Sequence, residues 1–470
     1  MSFWTTVFPL VEFAWVLVLA VTRLLERRTP TATLAWLGFL AWLPLVGLLV
    51  YYFFGPRRLR RRKLKRQEGS RLLLRAMRDL DEEMDDPRWT SLARMAIAAG
   101  EAPPLPAADV ALFLEGDALY DALEAAIRAA SHHVHVEYYI FGDDAVGRRI
   151  LAALEDRARA GVEVRVVLDG IGAYSLSNAA LAPLRKAGGD VAWFNPVSGF
   201  RPRLANFRTH RKIVIVDGVH GFTGGMNVAG DHSLVSSGGR AWRDTHVSFR
   251  GPATRALQRV FLEDWYFASG KVPPSGPEYF VPVTHGDGHA LVQVVSSGPD
   301  RDLYAIHQLF FGAITQAQRR VWVTTPYFVP DETILAALVA AGLRGVDVRV
   351  LVPRSSDNTL VDLAARSYYP ELVRARVQVH EYTGRMLHAK TMVVDDEISI
   401  VGTANMDNRS FRLNFEVVAA IYDEATAREL GRVFEHDLAK AELVKVRELR
   451  DKGFVERLGE SAARLFSPLL

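Results

Sequence analysis

HRKIVIVDGVHGFTGGMN (210–227) and HAKTMVVDDEISIVGTAN (388–405) align on each other without a gap. Both carry H-x-K-x4-D, and in both the Asn follows the His by 17 residues (227 − 210 and 405 − 388). The residues between Lys and Asp are almost all apolar and mostly β-branched, so each motif reads as a buried strand entered through polar residues. Successive strand side chains point to opposite faces. His210 therefore shares a face with Lys212, and His388 shares one with Lys390.

The duplication reaches well beyond the motifs. VHVEYYIF (134–141) and VWVTTPYF (321–328) are both strand-like, and ILAALEDRARAGVEVRVVLD (150–169) matches ILAALVAAGLRGVDVRVLVP (334–353) at an offset of 184. The His motifs follow at an offset of 178, so the second connection is six residues shorter (184 − 178). Each unit is an amphipathic helix ending at Gly and then a short strand. That alternation predicts two homologous α/β halves with a mostly parallel sheet covered by helices, roughly 107–285 and 286–470. The Pro-rich EAPPLP (101–106) reads as a boundary, and 57–106 as a basic, helical connector.

One H-x-K pair is weak evidence, being most often a surface pair. Two copies at identical spacing point to a single shared site if the halves pack about a pseudo-twofold axis. A neutral imidazole there attacks phosphorus, while a protonated one gives its proton to the leaving alkoxide. Lys212, Lys390, Asn227 and Asn405 then hold the non-bridging oxygens. WRDTHV (242–247) and NFEVV (414–418) follow the two motifs at similar places, which assigns Asp244 to orient His210 and Glu416 to orient His388. Asp217 and Asp395 end their strands and are expected to organise the turns by hydrogen bonds.

These residues resemble the phospholipase D superfamily, whose signature is a duplicated H-x-K-x4-D followed by G-G/S-x-N. The stretches 133–169, 207–218, 242–247, 324–334 and 388–416 are similar to the bacterial cardiolipin synthases, as is TATLAWLGFLAWLPLVGLLVYYFFG (31–55). Thr403 stands where that family usually has Ser, keeping the hydroxyl. The resemblance implies two phospholipase D-like α-β-α domains about a pseudo-twofold axis behind an N-terminal membrane helical hairpin. It also implies transphosphatidylation. His210 would attack the phosphate of one phosphatidylglycerol. His388 would protonate the departing glycerol and then deprotonate the hydroxyl of a second phosphatidylglycerol. The two motifs are nearly symmetric, so the reverse assignment of nucleophile and acid stays open. Tyr138, Tyr327 and Arg409 lie in matching stretches and are expected to line the headgroup pocket. A hydrolytic phospholipase D, a nuclease of the same fold and a non-catalytic lipid-binding scaffold are the rival readings.

The remainder of the chain supports a membrane partner. Leu34–Phe54 is 21 residues without a charge, enough to cross about 30 Å of hydrocarbon. The weaker run Phe3–Thr22 contains Pro9 and Glu12, and its first basic residue, Arg23, follows it, which argues against a cleaved signal. We read 1–56 as an anchor of two hydrophobic helices. PRRLRRRKLKR (56–66) holds eight Lys or Arg, which places the catalytic bulk on the cytoplasmic side and suits anionic lipid headgroups; the resemblance implies that the membrane is a bacterial cytoplasmic membrane. The net charge of +3 does not advertise nucleic acid. There is no cysteine, which excludes disulfides and thiolate chemistry. The cluster HHVH (132–135) has no matching carboxylate set, so neither a metal nor a cofactor is expected. FVERLGESAARLFSPLL (454–470) is amphipathic, reading either as core packing or as a segment lying on a membrane. Oligomeric state is left open.

Overall fold

The computed structural model describes Gly38 and residues 90–196, 206–274, 276–280, 288–301 and 303–470. The expected membrane segments 3–22 and, apart from Gly38, 34–54 lie outside these, as does the basic run 56–66. Among the described residues no helix is long and apolar enough to cross a membrane. The described residues from 90 onward belong to one compact unit.

In the first half the strands are β1 (Leu105–Phe113), β2 (His133–Tyr138), β3 (Glu163–Asp169), β4 (Asp190–Phe194), β5 (Lys212–Val216), β6 (His220–Gly224) and β7 (His246–Arg250). The second half holds β8 (Ala290–Ser297), β9 (Arg320–Thr324), β10 (Phe328–Val329), β11 (Asp347–Pro353), β12 (Gln378–Tyr382), β13 (Thr391–Val394), β14 (Ile398–Gly402), β15 (Met406–Asp407), β16 (Glu416–Tyr422) and β17 (Ala441–Leu443). Fifteen of them make one sheet, in the order β17-β12-β11-β9-β13-β14-β16-β8-β1-β7-β6-β5-β2-β3-β4. Read outward from the β8–β1 junction, β1-β7-β6-β5-β2-β3-β4 and β8-β16-β14-β13-β9-β11-β12 are the same path. The duplicated sequence thus becomes a pseudo-twofold, joined where Leu105, Pro106 and Ala107 pair antiparallel with Val292, Leu291 and Ala290.

The sheet is not mostly parallel, as the β–α–β alternation had suggested. Only β2–β3, β3–β4, β9–β11 and β11–β12 run parallel. Each His strand instead enters antiparallel to the second strand of its half (β5 on β2, β13 on β9) and doubles back through a short turn. Parallel neighbours need a long crossover, whereas a three-residue turn closes an antiparallel hairpin.

Asp217 and Asp395 make those turns. Both adopt the left-handed conformation, φ 53° and 54°, which Asp tolerates better than β-branched residues. The Asp217 carboxylate accepts the backbone N–H groups of Ser131, His132 and His133, at 2.9, 2.8 and 2.9 Å. Asp395 accepts those of Gln318, Arg319 and Arg320, at 3.1, 2.7 and 2.9 Å. Each aspartate pins its hairpin to the start of the neighbouring strand, at the opposite end from the His.

Alternation along β5 and β13 sorts the core. Val214 and Val216 pack in the first half's own core, and Met392 and Val394 in the second's. Ile213, Ile215 and Val393 turn to a central core shared by both halves, under the helices Thr254–Ser269 and Glu424–Leu438. With both faces covered, these strands can be almost wholly apolar.

Candidate active site

The two motifs converge, but their carboxylates are exchanged. His210 Nδ1 lies 3.0 Å from Glu416 Oε2, and His388 Nδ1 lies 2.6 Å from Asp244 Oδ2. Each imidazole therefore takes its acceptor from the other half, reversing the assignment of Asp244 to His210 and Glu416 to His388. The backbone explains why. The chain entering β5 runs beside the chain entering β16: Phe415 N–H donates to Arg208 O at 2.9 Å and His210 N–H donates to Phe415 O at 2.9 Å. Its counterpart does the same, with Arg243 N–H on Met386 O at 2.7 Å and His388 N–H on Arg243 O at 2.7 Å. Within one half, by contrast, β6 separates β5 from β7. Sequence order puts each carboxylate near its own His, whereas the contact across the pseudo-twofold puts it on the other.

A carboxylate on Nδ1 fixes the tautomer and leaves Nε2 as the reactive nitrogen. Thr403 Oγ1 donates to the same Glu416 oxygen at 2.5 Å, and Asn414 Nδ2 donates to the other at 3.2 Å. Burial would raise the Glu416 carboxyl, yet the charge and hydrogen bond of His210, with Thr403, hold it below its usual value. Lys212 Nζ donates to His210 O at 2.8 Å, and Lys390 Nζ donates to His388 O.

Both lysines are buried, and burial dominates their electrostatics. It pushes the Lys212 ammonium down to about 7 and the Lys390 ammonium down to about 8. Burial also lowers both imidazoles, His388 more strongly, with the nearby lysine charges adding to it. Burial disfavours the charged form of all four groups, and an anion entering the site would favour it.

Asn227 and Asn405 are also buried at the motif ends. Asn227 Oδ1 accepts from Ile140 N–H at 3.3 Å, while Asn405 Oδ1 has no hydrogen-bond partner among the described residues. Of the expected pocket residues, Tyr327 and Arg409 are half-buried, and Tyr327 Oη donates to Asp357 at 2.6 Å. Tyr138 instead sits in the first half's core, its ring edge-on to Phe141 with centroids 6.1 Å apart. The reason is strand parity: the next residue, Tyr139, is turned to the site, edge-on to His210 at 5.1 Å and 5.7 Å from Lys212 Nζ.

Two further residues escaped the sequence reading. Trp242 lies 5.0 Å from the His388 ring, and His232 lies 5.6 Å from it. His232 Nδ1 is 3.8 Å from the Asp244 oxygen that His388 contacts, so His232, Asp244 and His388 form one close group of potential ligand atoms. Both come from the Gly- and Ser-rich stretch 227–244, where the first half is longer and no repeat partner signals them. The HHVH cluster is unrelated to the site. His133 and His135 are buried against Tyr279 and Phe261.

Comparison with known proteins shows the family. A family described as cardiolipin synthase, PLD-like domain, matches residues 123–238 and 310–438, more than half of the chain. A phospholipase D-nuclease N-terminal family matches residues 13–56. The chain is 40% identical over 463 residues to a cardiolipin synthase of Geobacillus kaustophilus, covering 97% of this chain and 92% of that protein. It is 37% identical over 460 residues to cardiolipin synthase 1 of Bacillus anthracis, covering 95% and 90%. Among solved structures, phosphatidylserine synthase of Haemophilus influenzae shares the fold, with a TM-score of 0.61 at 14% identity, over 81% of this chain and 100% of that one. The chain belongs to the cardiolipin synthase family of phospholipase D-like proteins.

Proposed function

We propose that the protein is a membrane-associated cardiolipin synthase that acts on phospholipids and transfers a phosphatidyl group from one phosphatidylglycerol to another. The observation that carries this reading is the pair of crossed imidazole–carboxylate contacts set beside two buried lysines. His210 Nε2 attacks phosphorus, forming a phosphatidyl-histidine, and the P–O bond to glycerol breaks. The glycerol oxygen takes its proton from His388, which the incoming anion has favoured in its charged form. Glycerol leaves, and neutral His388 then removes the proton from a hydroxyl of the second phosphatidylglycerol. That oxygen attacks phosphorus, the P–N bond breaks, and cardiolipin departs with His210 restored. Lys212, Lys390, Asn227 and Asn405 hold the non-bridging oxygens throughout, while Tyr139, Tyr327 and Arg409 border the headgroup.

In this reading residues 1–56 anchor the chain and 57–106 connect it to the domains 107–285 and 286–470. The basic run 56–66 favours a catalytic unit facing the cytoplasm of a bacterial cytoplasmic membrane.

Purified full-length protein incubated with phosphatidylglycerol in EDTA is expected to release cardiolipin and glycerol together. Phosphatidic acid as the only lipid product would replace the transferase by a hydrolase. A His210→Ala variant with full activity would overturn the nucleophile.

A further inference from the structure

The C-terminal helix Phe454–Arg464 is amphipathic but only half used. One side is built into the protein: Glu460 and Ala463 are buried, Lys452 pairs with Glu460, and the Arg464 guanidinium lies 4.2 Å from the Tyr368 ring. On the other side Phe454, Val455, Leu458 and Leu465 are 72%, 79%, 56% and 81% exposed. At helical spacing these four, with Ala462, fall within one arc of about 100°. Phe466 and Leu469 extend it through the following turns, and they too are about half exposed. So large a contiguous apolar face on a protein surface marks an interaction site.

We propose that this face is a docking surface seated on an anionic phospholipid bilayer. Two observations select that occupant. Exposed basic residues flank the apolar arc: Lys445, Arg447 and Arg450 before the helix, and Arg457 within it. Apolar side chains between such cations fit the boundary between acyl chains and charged headgroups. The second observation is continuity with the catalytic site. Arg409 N–H donates to Leu470 O at 2.9 Å, Asn408 Nδ2 to Ser467 O at 3.1 Å, and Tyr368 Oη to Ser467 Oγ at 2.9 Å. The segment so held begins at Asn405, whose N–H donates to Ser410 Oγ at 3.1 Å. Docking the helix therefore sets the site's border at the lipid surface. This step rests on the lipid substrate proposed above.

The chain contains no cysteine, so single labels are unambiguous. Leu458→Cys, Leu465→Cys and Glu456→Cys would each carry an environment-sensitive fluorophore in the full chain, reconstituted with bilayers containing phosphatidylglycerol and lipid-borne quenchers. Strong quenching at 458 and 465 is expected, and little at 456, on the opposite face of the same helix. It is expected to weaken when phosphatidylcholine replaces phosphatidylglycerol. Quenching absent, or equal at all three positions, overturns the proposal. So does a label shielded in detergent in proportion to protein concentration, because that marks a second copy as the occupant. Leu458→Glu is expected to cut turnover on bilayers several-fold while sparing turnover of a soluble short-chain phosphatidylglycerol. Equal loss on both assigns Leu458 to folding. A protein that is quenched as expected but yields only phosphatidic acid keeps the docking surface and loses the transferase.

Discussion

At the scale of single residues, the exchanged carboxylates separate two otherwise similar histidines. With Glu416 on His210, Glu416→Gln should slow formation of the phosphatidyl-enzyme. With Asp244 on His388, Asp244→Asn should spare attack on a substrate with a good leaving group but slow resolution, so the covalent adduct accumulates. Each variant is expected to lose at least about 10²-fold in turnover, the usual worth of a positioned acid or base. Quenched-flow trapping of labelled lipid on the protein separates them, and the opposite pattern would return each carboxylate to the His of its own half. The buried lysines make a second prediction. Lys212 sits at about 7, below its unfolded value, so between there and the ordinary lysine range the unfolded chain binds the extra proton. Stability from this group therefore rises with pH across that window, whereas binding of an anionic substrate needs the proton and weakens. kcat/KM should fall on the alkaline side near 7 to 8, and saturating substrate should shift that limb upward. Lys212→Met should abolish activity yet leave Tm at neutral pH close to the parent's, because burial already disfavours the ammonium.

Among the elements, the hairpins β5–β6 and β13–β14 do most of the positioning. Asp217 accepts three backbone N–H groups from the far end of the hairpin, on the order of 20 Å along the strand from His210. Asp217→Ala should cost about 2–3 kcal/mol by orphaning those donors. Turnover per folded molecule should stay close to the parent's. A large drop in kcat at unchanged Tm would make this aspartate part of the chemistry. The turn role was legible in sequence because H-x-K-x4-D closes on an aspartate just after an apolar run. The direction of the strand was not, since β–α–β alternation reports only the outer strands of each half. Tyr138 shows the same limit at finer grain: an adjacent tyrosine pair cannot reveal which member faces the site until the pairing of β2 is known.

For the whole molecule, the pseudo-twofold makes neither half self-sufficient. Residues 107–285 carry His210 but not Glu416, and residues 286–470 carry His388 but not Asp244. Each half expressed alone should be inactive and should aggregate, because the β1–β8 junction and the shared central core would be exposed. Co-expressed halves should recover activity if they pair as in the intact chain. An active single half that gel filtration shows to be monomeric would refute the shared site.

Local sequence was enough for the duplication, the two His–Lys strands, the turn aspartates and the polar pair of asparagines. All of these are set by spacing along one segment and by the period of a strand. Family resemblance named the fold on the same residues. Only the tertiary structure decided which carboxylate serves which imidazole, which tyrosine meets His210, and that His232 and Trp242 stand beside His388. Each of these depends on contacts between segments far apart in the chain, and residue spacing within one segment carries no information about them.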